Sequence, residues 1–470
     1  MEAIHKLILA ISDFLYQPFI VPLLLFGAGV YFTLRLIVPQ FRLLVEACRV
    51  IMEKPTSEEG ISSFGALMVS TASRVGTGNI IGVSAAICTG GAGAVFWMWV
   101  TALLGGSSAF VESTLAQIYK KKSPDGSSYG GPAYYMQDAL KQRWLGCIFA
   151  FLIIFTYAVG YNMLAAYNLQ STFAAFKFYD KGTTPMVIGV ILAVLFALIV
   201  WGGGKRLVKV AGLLVPVLGV VYVVVSLIVI MMNIANVPAM FAEIFSNAFD
   251  FQAIFGGFTG SCIMLGVKRG LYSNEAGMGS APNAAATAEV SHPCKQGLVQ
   301  MISVFIDTLI ICTATALMCL STGVPHTKEV AGAAYVQNAV HTTMGDFGPV
   351  FIAVAMCLFA FTTLIGNYSY CEGCMKFMLQ AEPSKTLLLG FRIIASLLVF
   401  VGAVANAGMV WDLADMCQGL MVVTNVPAIL LLGGVATRCL EDYCKQKKEG
   451  KNPVFIAKNA GVEDETDFWK

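Results

Sequence analysis

Arg74, Thr77 and Asn79 stand among glycines in Ser70–Gly82, which reads Ser-Thr-Ala-Ser-Arg-Val-Gly-Thr-Gly-Asn-Ile-Ile-Gly, inside an apolar run from about Phe64 to Ile87. Two glycines so close together, Gly76 and Gly78, weaken a helix. Non-helical backbone at membrane depth is tolerated only where protein buries it or a cavity adjoins it. Val75–Asn79 is therefore expected to be an unwound segment facing a central site. Freed main-chain N–H and C=O groups there would bind a small zwitterion and a cation. The competing reading is a small-residue face for close helix packing, because Gly78 and Gly82 also form a GxxxG pair.

An amino acid brings a carboxylate and an ammonium into a place short of water, and each needs a partner. Half-helix N-termini offer free N–H groups and a positive dipole end. The N–H groups of Gly76, Thr77, Gly78 and Asn79 are the expected carboxylate cradle. Unwound carbonyls of a later glycine-interrupted run, Phe258 to Ser261, would take the ammonium. Sodium prefers neutral hard oxygens, and Thr362–Thr363 supplies two hydroxyls on an otherwise apolar run. With the carbonyls of Ala72 and Val75 they would make an oxygen shell. Paired threonines also commonly bond back to their own helix.

Ionisable residues at membrane depth are functional suspects; here they are Arg74, Glu112, Asp307, Glu372, Asp412 and Asp415. Arg74 cannot lose its proton, so an ion pair with Glu112 or Asp307 is expected. All four histidines fall in loops or at segment ends, which weakens a histidine proton relay. Cys371-x-x-Cys374 is the only CxxC and has no partner pair. No Ser/His/Asp or His/Cys cluster is expected at one depth, so membrane enzymes are set aside. A channel would need repeated polar rings along a path, whereas the polar residues cluster at one depth.

These residues must be positioned by membrane helices. The chain has 470 residues, 57% hydrophobic and 12% charged, with mean hydropathy +0.73; a polytopic helical membrane protein has this composition. Asp13 interrupts the first apolar run, which does not read as a signal peptide. Windows of about twenty apolar residues place eleven spans near 18–38, 64–88, 93–118, 145–172, 184–202, 208–232, 253–271, 297–320, 348–375, 386–405 and 412–436. Lysine and arginine concentrate in alternate connections and in the tail, which puts the N-terminus outside and the C-terminus in the cytoplasm. The connections at 233–252 and 321–347 are long enough for short helices over the outer mouth. The tail from Arg438 reads as a solvated extension.

The seventh span carries glycines at 256, 257, 260 and 266, as the second does at 76, 78 and 82. Five spans run from the second to the sixth and five from the seventh to the eleventh, so the second copy is inverted. Paired interrupted helices in two inverted halves point to a transporter's midplane site. The expected divisions are 1–62 (an extra helix and linker), 63–233 and 234–437 (two five-helix repeats), and 438–470 (a charged tail).

Six segments resemble the alanine or glycine:cation symporter family, of the sodium:alanine symporter type. They are Ser73–Val83, Gly90–Trp99, Tyr129–Met136, Val267–Pro282, Phe305–Leu309 and Phe361–Asn367, and they span nearly the full chain. The resemblance implies an all-α integral membrane protein with the LeuT-type 5+5 inverted repeat of the amino acid–polyamine–cation superfamily. It also implies sodium-coupled import of small neutral amino acids by a monomer in the plasma membrane, with no nucleic-acid partner. Sodium would then lie among Ala72, Val75, Phe359, Thr362 and Thr363, and Asn79 would place an amide just past the break. Around the substrate the resemblance adds Asn162, Ala165, Met264 and Leu265. Two of these depart from the family pattern: Ala165 replaces a glutamine, and Leu265 stands where an amide is usual. A less polar and, at Ala165, roomier pocket is expected, which opens it to larger neutral side chains. The stretch Ser273–Ser280, with Glu275, is either an inner gate or a tight capping loop.

Overall fold

The computed structural model describes residues 2–17, 20–55, 60–124, 126–201, 203–250, 261–463 and 466–469, with main chain alone for 203–211. Phe258 and the glycines at 256, 257 and 260 lie outside the described residues. Among those described, the chain is helical apart from one short antiparallel pair, Lys121–Lys122 with Ser128–Tyr129, and an isolated bridge, Ile61 with Ala288.

The principal helices are α1 (Glu2–Tyr16), α2 (Ile20–Arg35), α3 (Ser63–Arg74), α4 (Gly78–Gly90), α5 (Gly93–Ile118), α6 (Arg143–Ala175), α7 (Thr184–Val200) and α8 (Gly203–Met232). They continue with α9 (Val237–Ala248), α10 (Cys262–Asn274), α11 (Pro293–Ser321), α12 (Ala333–Met344), α13 (Phe347–Leu379), α14 (Lys385–Val404) and α15 (Ala407–Lys448). Eight helical runs among the described residues are long and apolar enough to cross a membrane, and Gly78–Gly90 and Thr184–Val200 are shorter apolar ones. At about 1.5 Å per residue, the 26 residues of α5 exceed a hydrocarbon core of about 30 Å.

Local signals set the ends. Ser62 caps α3 by accepting from Gly65 N–H (3.0 Å), and Asn406 caps α15 by accepting from Gly408 N–H (2.9 Å). Apolar stripes at helical spacing face outward, Val190, Val194 and Leu198 on α7 and Ile393, Leu397 and Val401 on α14. Such faces need a lipid solvent, not water. The expected short helices in the two long connections are α9 and α12. The Ser84 hydroxyl donates to Gly332 C=O (2.7 Å) and Trp97 Nε1–H to Ala248 C=O (3.1 Å), tying both connections down over α4 and α5.

Asp13 lies within α1, and His5 on the same helix meets Asp412 at 2.7 Å. One expectation is corrected here. The tail does not extend into solvent: beyond α15 it folds back and buries Phe455, Val462 and Trp469. Trp469 Nε1–H donates to Gln117 C=O (2.8 Å), and the Lys120 ammonium lies 4.5 Å from the Phe468 ring centroid and 5.3 Å from that of Trp469. Charge alone misjudges this segment because a few apolar anchors suffice to dock it.

Helix α5 packs along α10 and α11, α3 against α8 and α13, α14 against α6 and α7, and α15 against α1 and α2. Close approach rests on particular glycines. A Cβ at Gly402 would lie 2.3 Å from Met163 Cα, and one at Gly366 2.4 Å from Ser73 N. Gly402→Val is therefore expected to cost about 1–3 kcal/mol through overpacking of α14 on α6, read as a lower melting temperature of the purified protein in detergent. An unchanged melting temperature would mean the two helices separate freely.

Candidate functional site

The helical path stops at Val75, which is extended at φ −76°, ψ 96°. Had the helix continued, Gly76 N–H would bond to Ala72 C=O. It donates instead to the side chain of Asn79, at 2.7 Å from Oδ1. Asn79 N–H donates back to Gly76 C=O at 3.2 Å. One amide thus closes the break on itself, and Ala72 C=O is released from its usual partner.

The other end of Asn79 is committed too. Its Nδ2 donates to Asp307 Oδ1 (2.7 Å) and lies 3.1 Å from Ser273 Oγ. Asp307 also accepts from the hydroxyls of Ser273 and Thr308, both at 2.7 Å. Asn79 therefore pins the break to α10 and α11, and does not present its amide to the cleft.

The two glycines beside Thr77 have separate steric jobs. A Cβ at Gly76 would fall 1.9 Å from Thr363 Oγ1, and one at Gly78 2.8 Å from the Tyr272 ring. Gly82 has room, since its Cβ would meet Tyr272 at 3.6 Å. A packing pair needs both its glycines, so the GxxxG reading accounts for the motif poorly. Thr77 Oγ1 lies 3.2 Å from Asn168 Nδ2 and 3.4 Å from Tyr272 OH. Tyr272 is itself held edge-on by Tyr161 (4.9 Å between centroids) and Trp411 (5.4 Å).

A small cleft opens at this point, lined by Ser73, Arg74, Gly76, Thr77, Gly78, Tyr161, Tyr272 and Thr363. Thr363 Oγ1 is buried with no hydrogen-bond partner, whereas Thr362 donates back to Leu358 C=O (3.1 Å) and Phe359 C=O (3.0 Å). The self-bonding alternative for paired threonines thus holds for one of the two. A hydroxyl that donates backwards still offers lone pairs to a cation. Ala72 and Val75 are buried beside them.

Of the expected substrate contacts, Val75, Gly76, Thr77 and Gly78 come together at the break. Asn162 faces α13, its Oδ1 accepting from Asn367 Nδ2 (2.9 Å), and Ala165 is enclosed in an apolar cluster with Ala166 and Leu169. Ser261 caps α10 by accepting from Met264 N–H (3.3 Å). Met264 is buried in the core and Leu265 packs on Gly90. None of these five lines the cleft in this conformation. Tyr161, Asn168 and Tyr272 are the contacts that sequence reasoning did not single out. Tyr161 and Gly78 both belong to π-helical turns, Phe155–Tyr161 and Gly78–Gly82, and Asp307 lies in a third, Phe305–Cys312. Such wider turns recur at functional sites, and nothing in residue spacing announces them.

Arg74 makes no ion pair among the described residues. Its Nη1 lies 3.3 Å from Gln300 Oε1, while Nε and Nη2 are buried without partners. Glu112 instead accepts from Asn425 Nδ2 (2.9 Å), and Asp307 serves Asn79. The expected ion pair is thus replaced by a buried cation whose hydrogen-bond partner is Gln300. Glu275, at a left-handed φ of 55°, bridges two elements. Its Oε1 lies 3.0 Å from Ser73 Oγ on α3, and its Oε2 accepts from Ser280 (2.7 Å). Asn274 turns the loop by accepting from Ala276 N–H (3.0 Å), but Ser280 caps nothing with its side chain. The capping expectation is thus met at Asn274 and not at Ser280.

Comparison with known proteins gives a consistent picture. A model of the sodium:alanine symporter family matches residues 1–457. The amino-acid carrier protein AlsT of Bacillus subtilis is 45% identical over 460 residues, covering 98% of this chain and 96% of that one. A probable sodium/glutamine symporter, GlnT, of the same organism is 45% identical over 458 residues, covering 97% and 94%. Among solved structures, a Na+-coupled sialic acid symporter in a substrate-bound outward-open state is similar in fold, with TM-score 0.50 and 12% identity over 94% of this chain and 95% of that one.

The two glycines provide a direct check. Gly78→Ala is expected to lower solute uptake at least about tenfold, because the Tyr272 ring must leave the break, while Gly82→Ala retains most of it. Equal loss in both variants would favour the packing pair after all.

Proposed function

Because the chain belongs to the sodium:alanine symporter family, we propose that it imports a small neutral amino acid together with sodium, alanine or glycine first, by alternating access around the Val75–Gly76 break. The family consists of symporters and not enzymes. One observation carries the finer reading: main chain freed at the break lies beside a buried, unpartnered hydroxyl on a different helix.

The first residues past a break have amides that no preceding turn can satisfy. Gly76 and Asn79 N–H being engaged, the carboxylate of the amino acid is assigned to Thr77 and Gly78 N–H at the head of α4. Tyr272 and Tyr161 would close over its side chain. Sodium is assigned to Thr363 Oγ1, Thr362 Oγ1 and the carbonyls of Ala72, Val75 and Phe359, all neutral hard oxygens of the kind such a cation prefers. The residues suit this role: Thr363 lacks any other partner, and Ala72 C=O has lost its helical one. A cation there would bridge α3 to α13. It would favour the arrangement that also binds substrate, and this differential affinity is the coupling.

The architecture proposed around the site is the eleven-span LeuT-type arrangement, with α1–α2 outside two inverted five-span repeats. The break between α3 and α4 and the start of α10 at Ser261 are in keeping with it. The distribution of basic residues supports an orientation with the N-terminus outside and the tail in the cytoplasm. A second reading keeps the mechanism and changes the cargo. GlnT is named for glutamine, and Ala165 with Leu265 removes two amides from positions where the family usually has them, so a larger neutral amino acid is the alternative.

Uptake into proteoliposomes separates these readings. An inward sodium gradient is expected to drive accumulation of labelled alanine, and a proton gradient alone is not; the reverse would overturn sodium coupling. Thr363→Val is expected to raise half-saturating sodium about tenfold, equivalent to about 1.4 kcal/mol, with less change in maximal rate. Competition by unlabelled glutamine as strong as that by alanine would select the larger cargo.

A further inference from the structure

Outside the cleft, the fold assembles a group that the sequence keeps apart. His292 and Cys294 stand at the N-terminal end of α11, and Cys439 lies near the end of α15. All three are fully buried, and one ligand atom from each lies within 4.8 Å of the others. We propose that His292, Cys294 and Cys439 form a binding site for a soft divalent cation of the zinc type.

The donor set selects the ion. Thiolate sulfur and imidazole nitrogen suit zinc and disfavour sodium, magnesium and calcium, which take oxygen. The site is therefore chemically distinct from the oxygens proposed for sodium. Charge also balances, since two thiolates and a neutral imidazole cancel the two positive charges of the metal. A neutral complex can stay buried where an isolated ion could not.

Geometry is close to what such an ion requires. The two sulfurs are 3.4 Å apart, and both cysteines are free thiols. Tetrahedral zinc with Zn–S of about 2.3 Å needs sulfurs about 3.8 Å apart, so they would separate by about 0.4 Å. The imidazole is already oriented. Its Nε2 lies 3.3 Å from Asp442 Oδ2, and its Nδ1 lone pair caps α11 by accepting from Cys294 N–H at 3.2 Å, a bond that coordination through Nδ1 would replace. A carboxylate behind a ligating histidine fixes its tautomer and raises its basicity. Asp442 is steadied in turn by Gln446 Nε2–H (2.8 Å). Three protein ligands are supplied, and a fourth would have to come from water or thiol.

A thiol–thiol hydrogen bond alone would explain the pair of sulfurs. The imidazole has the capping of α11 as its own structural role, and what singles out the group is that all three donor atoms meet within 4.8 Å beside a carboxylate. The folded tail supplies the cover. Phe455 stacks edge-on to His292 (5.1 Å between centroids), and its N–H donates to Ser291 C=O (3.0 Å). Bound metal would thus tie the starting turn of α11 to the last turns of α15 beneath the docked tail.

The test uses the purified full-length protein in detergent, stripped with chelator and titrated with Co2+ and then Zn2+. One equivalent of Co2+ is expected to give thiolate-to-metal charge-transfer absorption, which Zn2+ abolishes. Cys294→Ser and Cys439→Ser should each remove that band, and Asp442→Asn should weaken binding about 10- to 100-fold. Absence of the band in the wild type, or its persistence in the Cys294→Ser, Cys439→Ser double variant, would overturn the proposal. Should a variant fail to fold, the wild type decides alone. Zn2+ must raise its melting temperature, and failure of that rise overturns the site equally.

Discussion

The structure turns on a single substitution of hydrogen-bond partners. Gly76 N–H leaves the helical ladder and takes the side-chain oxygen of Asn79. A break left open at this depth would strand polar main chain in a place without water, at a cost of several kcal/mol per group. Asn79 removes that cost locally. Its Nδ2 then carries the break to Asp307 and Ser273, so the geometry of one turn is secured by two other helices. Buried polar networks of this kind stabilise only when every member is satisfied, and Asp307 does satisfy three donors at once.

With the break secured, the surroundings divide into groups that close it and groups left open. Tyr272, Tyr161 and Trp411 form a run of edge-on rings over Gly78, a packing favoured by ring quadrupoles. Glu275 joins Ser73 to Ser280 below. Against these stand Thr363 Oγ1 and two nitrogens of Arg74, buried and unpartnered. Unmet hydrogen-bonding capacity is costly in a core, and a free hydroxyl on one helix lying beside freed main chain on another is the physical basis for assigning cargo and ion to this place.

The same logic separates the tail from the site. The tail docks through apolar anchors, Phe455 and Trp469 above all, and covers His292 and the two thiols. Those groups are satisfied among themselves and with Asp442, so they sit quietly in the absence of any ion. Neutral donors tolerate burial either way, which an unpaired charge would not.

Much of this was legible in the residues alone. Hydropathy and glycine spacing located the broken helix and the short helices α9 and α12, because lipid forces every exposed main-chain group to declare itself. The six family segments fixed the class of protein. Helical spacing, however, says nothing about partners across the bundle. Whether Arg74 would find Glu112 and whether Asn79 would face cargo or a neighbouring helix were settled by partners over two hundred positions away in the chain, whereas Thr362 was taken up by carbonyls of its own helix and Thr363 was not. The π-helical turns, the return of the tail, and the meeting of His292 with Cys439 belong to the same category. Sequence determined which segments are apolar enough to cross a membrane and where one of them must fail as a helix, since those depend on local transfer and main-chain energetics. Only tertiary structure decided which polar groups are spent on holding that failure in place and which remain to bind something else.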